Sequence, residues 1–175
     1  GNVYLQDLPR QNFFGFGSNP NLKNTSAQFT GNLALGHDAF RDAKNNIACT
    51  AIGYNALKEC DNGIDHTAFG AGAMQKQRGG VGNSAFGRLA LANSVNGTNL
   101  TAYGDTALEF CTGNASTAMG YSSGIKAIGN NNCHFGTYSG GHYLGRNAPD
   151  CTWENTNTFG AFCLQSNEDG ERNNF

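Results

Sequence analysis

Between residues 32 and 136 three pairs of carboxylates stand four residues apart: Asp38 with Asp42, Asp61 with Asp65, and Asp105 with Glu109. Two carboxylates held roughly 5–10 Å apart can cleave a glycosidic bond, one donating a proton while the other attacks or activates water. Each pair falls in a polar stretch that a solvated turn explains as well. Long spans hold no acid at all: there is none between His66 and Gly104, or between Phe110 and Pro149. Cys133-His134 could offer ligands to an ion on a symmetry axis, but one adjacent pair does not make a metal site. The expectation is therefore a chain that is not an enzyme, with no catalytic residue, no cofactor and no metal.

A different chemistry is suggested near the C-terminus. Tyr138, His142, Tyr143, Trp153 and Asn155 gather aromatic rings beside polar groups, with Asp150 and Glu154 close by in sequence. Sugars are held this way, an apolar ring face stacking on an aromatic while neighbours read the hydroxyls. These five residues are the candidate ligand-binding set, and surface attachment is expected to map to residues 137–165. The competing reading is that the same aromatics form a hydrophobic cap.

The six cysteines, Cys49, Cys60, Cys111, Cys133, Cys151 and Cys163, are even in number, which invites disulfides. Their placement argues against most pairings. Cys60 and Cys111 share one phase of the repeat described next but stand three units apart, about 14 Å at a strand-stacking rise, too far for a bridge. Cys151 with Cys163 is the one pair that could form a staple. Reduced thiols throughout are the expectation.

What positions these residues is a repeat. Glycines recur about every 17 residues at Gly36, Gly53, Gly70, Gly87 and Gly104, then about every 16 at Gly120 and Gly136. Before them stand Leu35, Ile52, Phe69, Phe86, Tyr103, Met119 and Phe135. Two before stand Ala34, Ala51, Ala68, Ala85, Ala102 and Ala118, with His134 breaking the series. After each glycine comes a second apolar pair, as in Ala56-Leu57 and Ala90-Leu91, then an Asn/Gly turn such as Asn62-Gly63, then a weaker apolar position at Ile47, Ile64 and Val81. A fixed period of this length is the signature of a solenoid. Asn and Gly in phase supply the left-handed backbone of a turn in every coil. Amphipathic helices would need to tolerate a Gly or Asn breaker in every unit.

The expected fold is all-β: a parallel β-solenoid or β-roll of coils of about 17 residues, assembled as a homotrimer with irregular caps. Roughly seven coils, rising about 4.8 Å each, would make a rod of about 30–35 Å. All three apolar phases are expected to face inward, Phe86 included. The alanines and glycines are expected to form a flat face where neighbouring chains approach. The threonine series Thr50, Thr67, Ser84, Thr101 and Thr117, a column an ice-binding surface would need flat, paired and exposed, is expected inside with the large apolar residues. The seven glycines are expected to be structural, and Gly53 less replaceable than Asn55.

Three stretches, Thr50-Ala51-Ile52-Gly53-Tyr54-Asn55-Ala56-Leu57, Asn83-Ser84-Ala85-Phe86-Gly87 and Thr101-Ala102-Tyr103-Gly104-Asp105-Thr106-Ala107-Leu108, resemble the NTAxGxxAL-type repeats of phage tail-fibre and related bacterial trimeric adhesion proteins. The resemblance to the heads of trimeric autotransporter adhesins is looser, since the unit here is longer. It implies a homotrimeric fibre module that attaches to a host or prey cell surface, glycan being the expected receptor, in a virion tail fibre or at a cell surface. Other fibre proteins would be its partners. A purely structural shaft is the alternative, and a polysaccharide-degrading tailspike a third.

Composition fits a fibre. Gly supplies 25 of 175 residues, about twice ordinary usage, which favours repeated turns over a conventional core. A net charge of −2 leaves no basic stripe to neutralise phosphates, so nucleic acid is not an expected partner. No apolar run reaches the length of a membrane span, so membrane insertion is not expected. Three segments are expected: a capping segment over 1–31, in which Gly15 among Phe13, Phe14 and Phe16 marks a decayed first coil; the repeat body over 32–136; and an irregular aromatic-rich cap or tip over 137–175. A chain beginning with Gly1 reads as a fragment or processed product.

Overall fold

The computed structural model describes residues 2–8, 11–17, 31–140, 151–163 and 169–171, with side chains for 31–140 and 154–163. Among them there is no helix; the fold is a parallel β-solenoid of about 6 coils. One short strand per coil builds its main sheet: β3 (Asn32–Leu35), β4 (Thr50–Ile52), β5 (Thr67–Phe69), β6 (Ser84–Phe86), β7 (Thr101–Tyr103), β8 (Thr117–Met119), β10 (Cys133–Phe135) and β12 (Asn157–Phe159). β-Branched and aromatic residues on either side of an alanine suit such strands. Each strand lies in register on the next, so Ala51 pairs with Ala68 and Ile52 with Phe69. The glycine amides carry the ladder onward, Gly53 N donating to Leu35 O at 2.8 Å and Gly70 N to Ile52 O at 2.8 Å.

An antiparallel hairpin, β1 (Asn2–Leu8) and β2 (Gln11–Gly17), covers the first edge of this sheet. β2 runs parallel to β3, with Gly15 opposite Ala34 and Phe16 opposite Leu35. Gly17 is thus the residue in phase with Gly36, and Gly15 holds an alanine position. At the other end β12 stacks on β10 although 24 residues separate Cys133 from its partner Asn157. A smaller sheet orders β9 (Ala127–Ile128), β11 (Cys151–Glu154) and β13 (Asp169–Glu171) as β13-β11-β9.

The direction of the strand face is the reverse of the sequence expectation. The alanines point inward, with Ala51, Ala68, Ala85, Ala102 and Ala118 at 0% exposure. The residues before the glycines point outward: Phe69 is 53% exposed, Phe86 37%, Tyr103 57% and Met119 40%. Ile64 and Val81 are exposed too, so only one of the three apolar phases lines the core. That phase is Phe40, Leu57, Met74, Leu91 and Leu108, all fully buried.

The reason lies in the width of a coil. An interior enclosed by about 17 residues is a single layer of side chains thick, so a long residue reaching across from one wall needs a short one opposite. Alanine on the strand and leucine from the corner satisfy this. The exception follows the same rule. Where the alanine column carries His134, the leucine column carries Gly124 and Gly140, and a Cβ added at Gly124 would lie 2.9 Å from His134 Cδ2. The leucine position has positive φ throughout, from 48° at Leu57 to 59° at Gly140. That backbone costs roughly 1–2 kcal/mol per non-glycine residue, which full burial of about 1.5–3 kcal/mol offsets.

The glycines do allow backbones to approach, but the approaching backbone is the chain's own next coil. Gly36, Gly53, Gly70, Gly87, Gly104 and Gly120 have φ of 131–141°. A Cβ on Gly70 would collide with the carbonyl oxygen of Gly87, and each other glycine of the series repeats this against its successor.

Candidate functional site

The outward face of the main sheet carries two columns. One is Leu33, Thr50, Thr67, Ser84, Thr101, Thr117, Cys133 and Asn157; the other is Leu35, Ile52, Phe69, Phe86, Tyr103, Met119, Phe135 and Phe159. None of these sixteen residues is charged. The threonine column expected inside is therefore outside, yet its companion is a row of bulky rings and not a second threonine row.

Those rings stack along the rod. Phe69 and Phe86 lie 6.4 Å apart at 22°, Phe86 and Tyr103 5.7 Å at 29°, and Phe135 and Phe159 5.5 Å at 8°. Each ring covers its neighbour's face, so the ladder turns its edges to solvent. Beside it, the glycines leave an open trench of about 590 Å³, lined by Phe69, Gly70, Phe86, Gly87, Tyr103 and Gly104.

A second aromatic cluster lies past the glycines in the C-terminal coils. Tyr121 meets Tyr138 edge-on at 5.2 Å, and Tyr138 stacks on Phe162 at 5.6 Å. Tyr121 and Phe162 are exposed. The hydrogen bond between Tyr138 and Tyr121 raises the Tyr138 phenol above its usual range.

Of the five candidate ligand residues, Tyr138 belongs to this cluster. Asn155 stands at the opposite border of the sheet: it precedes β12, whereas Tyr138 follows β10. There its side chain accepts a hydrogen bond from Asn131 Nδ2 at 3.3 Å, and the structure does not bring it to Tyr138. His142 and Tyr143 lie outside the described residues. Trp153 is placed as backbone only, in β11 opposite Gly170.

Two of the acidic pairs have local partners. Asp38 is buried and bound by Arg41 Nη1 at 2.7 Å, and Asp42 by Arg41 Nε at 3.1 Å. Asp105 pairs with Arg88 at 3.0 Å on the surface, whereas Glu109 is buried and accepts from Asn93 at 3.3 Å. Asp61 lines a groove with Asp42, Glu59, Lys44 and Arg78, and Asp65 is exposed in the next turn. Among the described residues no three His, Cys, Asp or Glu side chains group as metal ligands.

Gly120-Tyr121-Ser122-Ser123-Gly124 fits the nucleophile motif Gly-x-Ser-x-Gly. Its setting differs from that of a nucleophile. Ser122 is buried, and its φ of 52° is the corner conformation that Asp38, Asn55, Leu89 and Thr106 also adopt. Its hydroxyl lies 2.8 Å from the Thr106 hydroxyl, one coil back in the same column.

The position four before each glycine, to which the repeat pattern assigned no role, is a seam buried throughout and polar except at Cys49 and Leu100. Asn32 accepts a hydrogen bond from Cys49 N (2.8 Å), Asn83 from Leu100 N (2.9 Å) and Asn132 from Thr156 N (3.0 Å). His66 takes the same role, Nδ1 accepting from Asn83 N at 3.3 Å while Nε2 donates to Gly79 O at 3.2 Å. Burial lowers the basicity of His66, and pushes His134 down to about 4. Recurrent Asn at this phase was the available signal.

The thiols of Cys49, Cys60 and Cys111 show no reactive setting. Burial pushes Cys49 and Cys111 up to about 11 and raises Cys60 well above its usual value, the reverse of what a nucleophilic thiolate needs. Cys163 is a free thiol and so forms no staple with Cys151.

Compared with known proteins, the chain matches no family model, no curated protein and no solved structure.

Proposed function

We propose that this chain is a rod-shaped module of an attachment fibre that works as a homotrimer, in a virion tail fibre or at a cell surface, and contacts cell-surface glycan through its C-terminal coils. The observation that carries the reading is the strand face: an uncharged, regularly spaced surface running along the rod, with rings bare to solvent. A protein that worked alone would gain nothing from leaving those rings in water. The exposed Tyr121 and Phe162, with the half-buried Tyr138 between them, support a receptor contact near the C-terminus, since aromatic anchors dominate binding energy at such sites. The regularity of residues 32–136 equally suits a shaft that only spaces other modules.

Binding of the intact chain to cells and to a glycan array tests this. Tyr138→Ala with Trp153→Ala is expected to lower binding tenfold or more while assembly mass stays unchanged. Undiminished binding would move the site elsewhere, and no binding by the unaltered chain would leave the shaft.

A further inference from the structure

We propose that the strand face is the surface on which copies of this chain pack against one another, ring ladder against ring ladder. The proposal rests on the fibre reading above and names the contact that reading leaves open.

The apolar area involved is large. Phe69, Phe86, Tyr103, Met119 and Phe159, each 37–59% exposed, leave roughly 500 Å² bare if a full aromatic side chain presents about 200 Å². That lies in the upper part of the range for the largest apolar patch of a typical monomer, about 300–600 Å², before the partly exposed Leu35, Ile52 and Phe135 are counted. With the threonine column beside it, one face approaches the roughly 800 Å² per partner that stable interfaces bury.

Periodicity identifies the occupant. The column repeats at the strand-stacking rise of about 4.8 Å over eight strands, five of which carry a ring: Phe69, Phe86, Tyr103, Phe135 and Phe159. A partner without that pitch meets one or two rings and then loses step. A second copy has the same pitch by construction, so its column of ring edges and aliphatic side chains can pack against this one coil for coil. A glycan is a poor occupant, because the ring faces it would stack on are covered by neighbouring rings. The absence of charge removes the like-charge repulsion that identical surfaces otherwise suffer.

Mass in solution at micromolar concentration, by light scattering, tests the proposal. The unaltered chain is expected to be an oligomer. The combined variant Phe69→Gln, Phe86→Gln and Tyr103→Gln is expected to be a folded monomer, with an unchanged far-UV spectrum. Ile64→Gln with Val81→Gln, which removes exposed apolar groups from another face, is expected to stay oligomeric. A folded triple variant that remains an oligomer overturns the assignment of this face and leaves the fibre reading standing; a monomeric unaltered chain overturns both. Should the triple variant not fold, cross-linking decides. In a Cys133→Ser, Cys151→Ser, Cys163→Ser background, a short bis-maleimide is expected to join chains carrying Thr101→Cys and not those carrying Val81→Cys. The opposite pattern overturns the proposal. Assembly through this face without cell or glycan binding would sink the attachment role alone.

Discussion

Large apolar side chains flank the glycines on both sides, and the two sides have opposite fates. Phe86 stands one residue before Gly87 and is exposed; Leu91 stands four after and is fully buried. Hydrophobicity does not separate them. The difference is backbone direction: strand alternation sends Phe86 to the face opposite Ala85, while the left-handed corner at Leu91, with φ of 53°, turns its side chain into the coil. In so thin a body the core is set by which wall can carry a long residue, and the strand wall cannot.

The comparison breaks most completely at the glycine between the two columns. Gly87→Ala is expected to abolish cooperative folding or cost more than about 3 kcal/mol, because its Cβ would meet the backbone of Gly104 at φ of 137°. Gly72→Ala, two residues past Gly70, is expected to cost far less, since Asn55, Leu89 and Thr106 already hold that phase. Urea midpoints of the two variants check this.

Leu91→Ala is expected to destabilise by about 3–5 kcal/mol in urea titration. Phe86→Ala is expected to cost under about 1 kcal/mol in a monomeric background, with its effect appearing instead as weaker self-association. Comparable folding losses for both would mean that the strand face is covered within a single chain.

Acid sharpens the inward side. With His134 at about 4 when folded and 6.5 as its ordinary value, the unfolded chain takes up a proton that the folded chain refuses. The stability present above pH 6.5 is therefore lost as pH falls toward 4, on the order of 3 kcal/mol, with His66 acting in the same direction. His134→Gln is expected to flatten the dependence of urea midpoint on pH over that window.

A smaller loss than at Leu91 is expected in the polar seam. Asn83→Leu is expected to cost about 1–3 kcal/mol, because Leu100 N and Gly97 O lose their partners together. Slowed amide exchange at Leu100 in the unaltered chain, and its loss in the variant, would report this.

Much of this arrangement was legible in the sequence. Thr50-Ala51-Ile52-Gly53 and its copies encode strand, pitch and register, since a coil that slips by one residue puts a side chain where only glycine fits. Which face lies inside was not legible from alternation, because period two separates small from large without saying which is enclosed. The clue was elsewhere: His134 enlarges one column where Gly124 and Gly140 shrink the other, a compensation that only facing residues need. Asn155 illustrates the limit for sites. Closeness to Trp153 in sequence placed it in the aromatic set, while the coil carries it to the far border from Tyr138.

The hydrogen bonds between coils run along the rod, and this sets how it responds to force. A pull on the two ends does not load all the strands together; it strains the few bonds of the outermost coil and then those of the next. Each released coil of about 17 residues yields up to about 60 Å of extended chain in place of a rise of about 4.8 Å. A rod built this way gives length under tension in steps, dissipating a sudden load coil by coil before either end lets go.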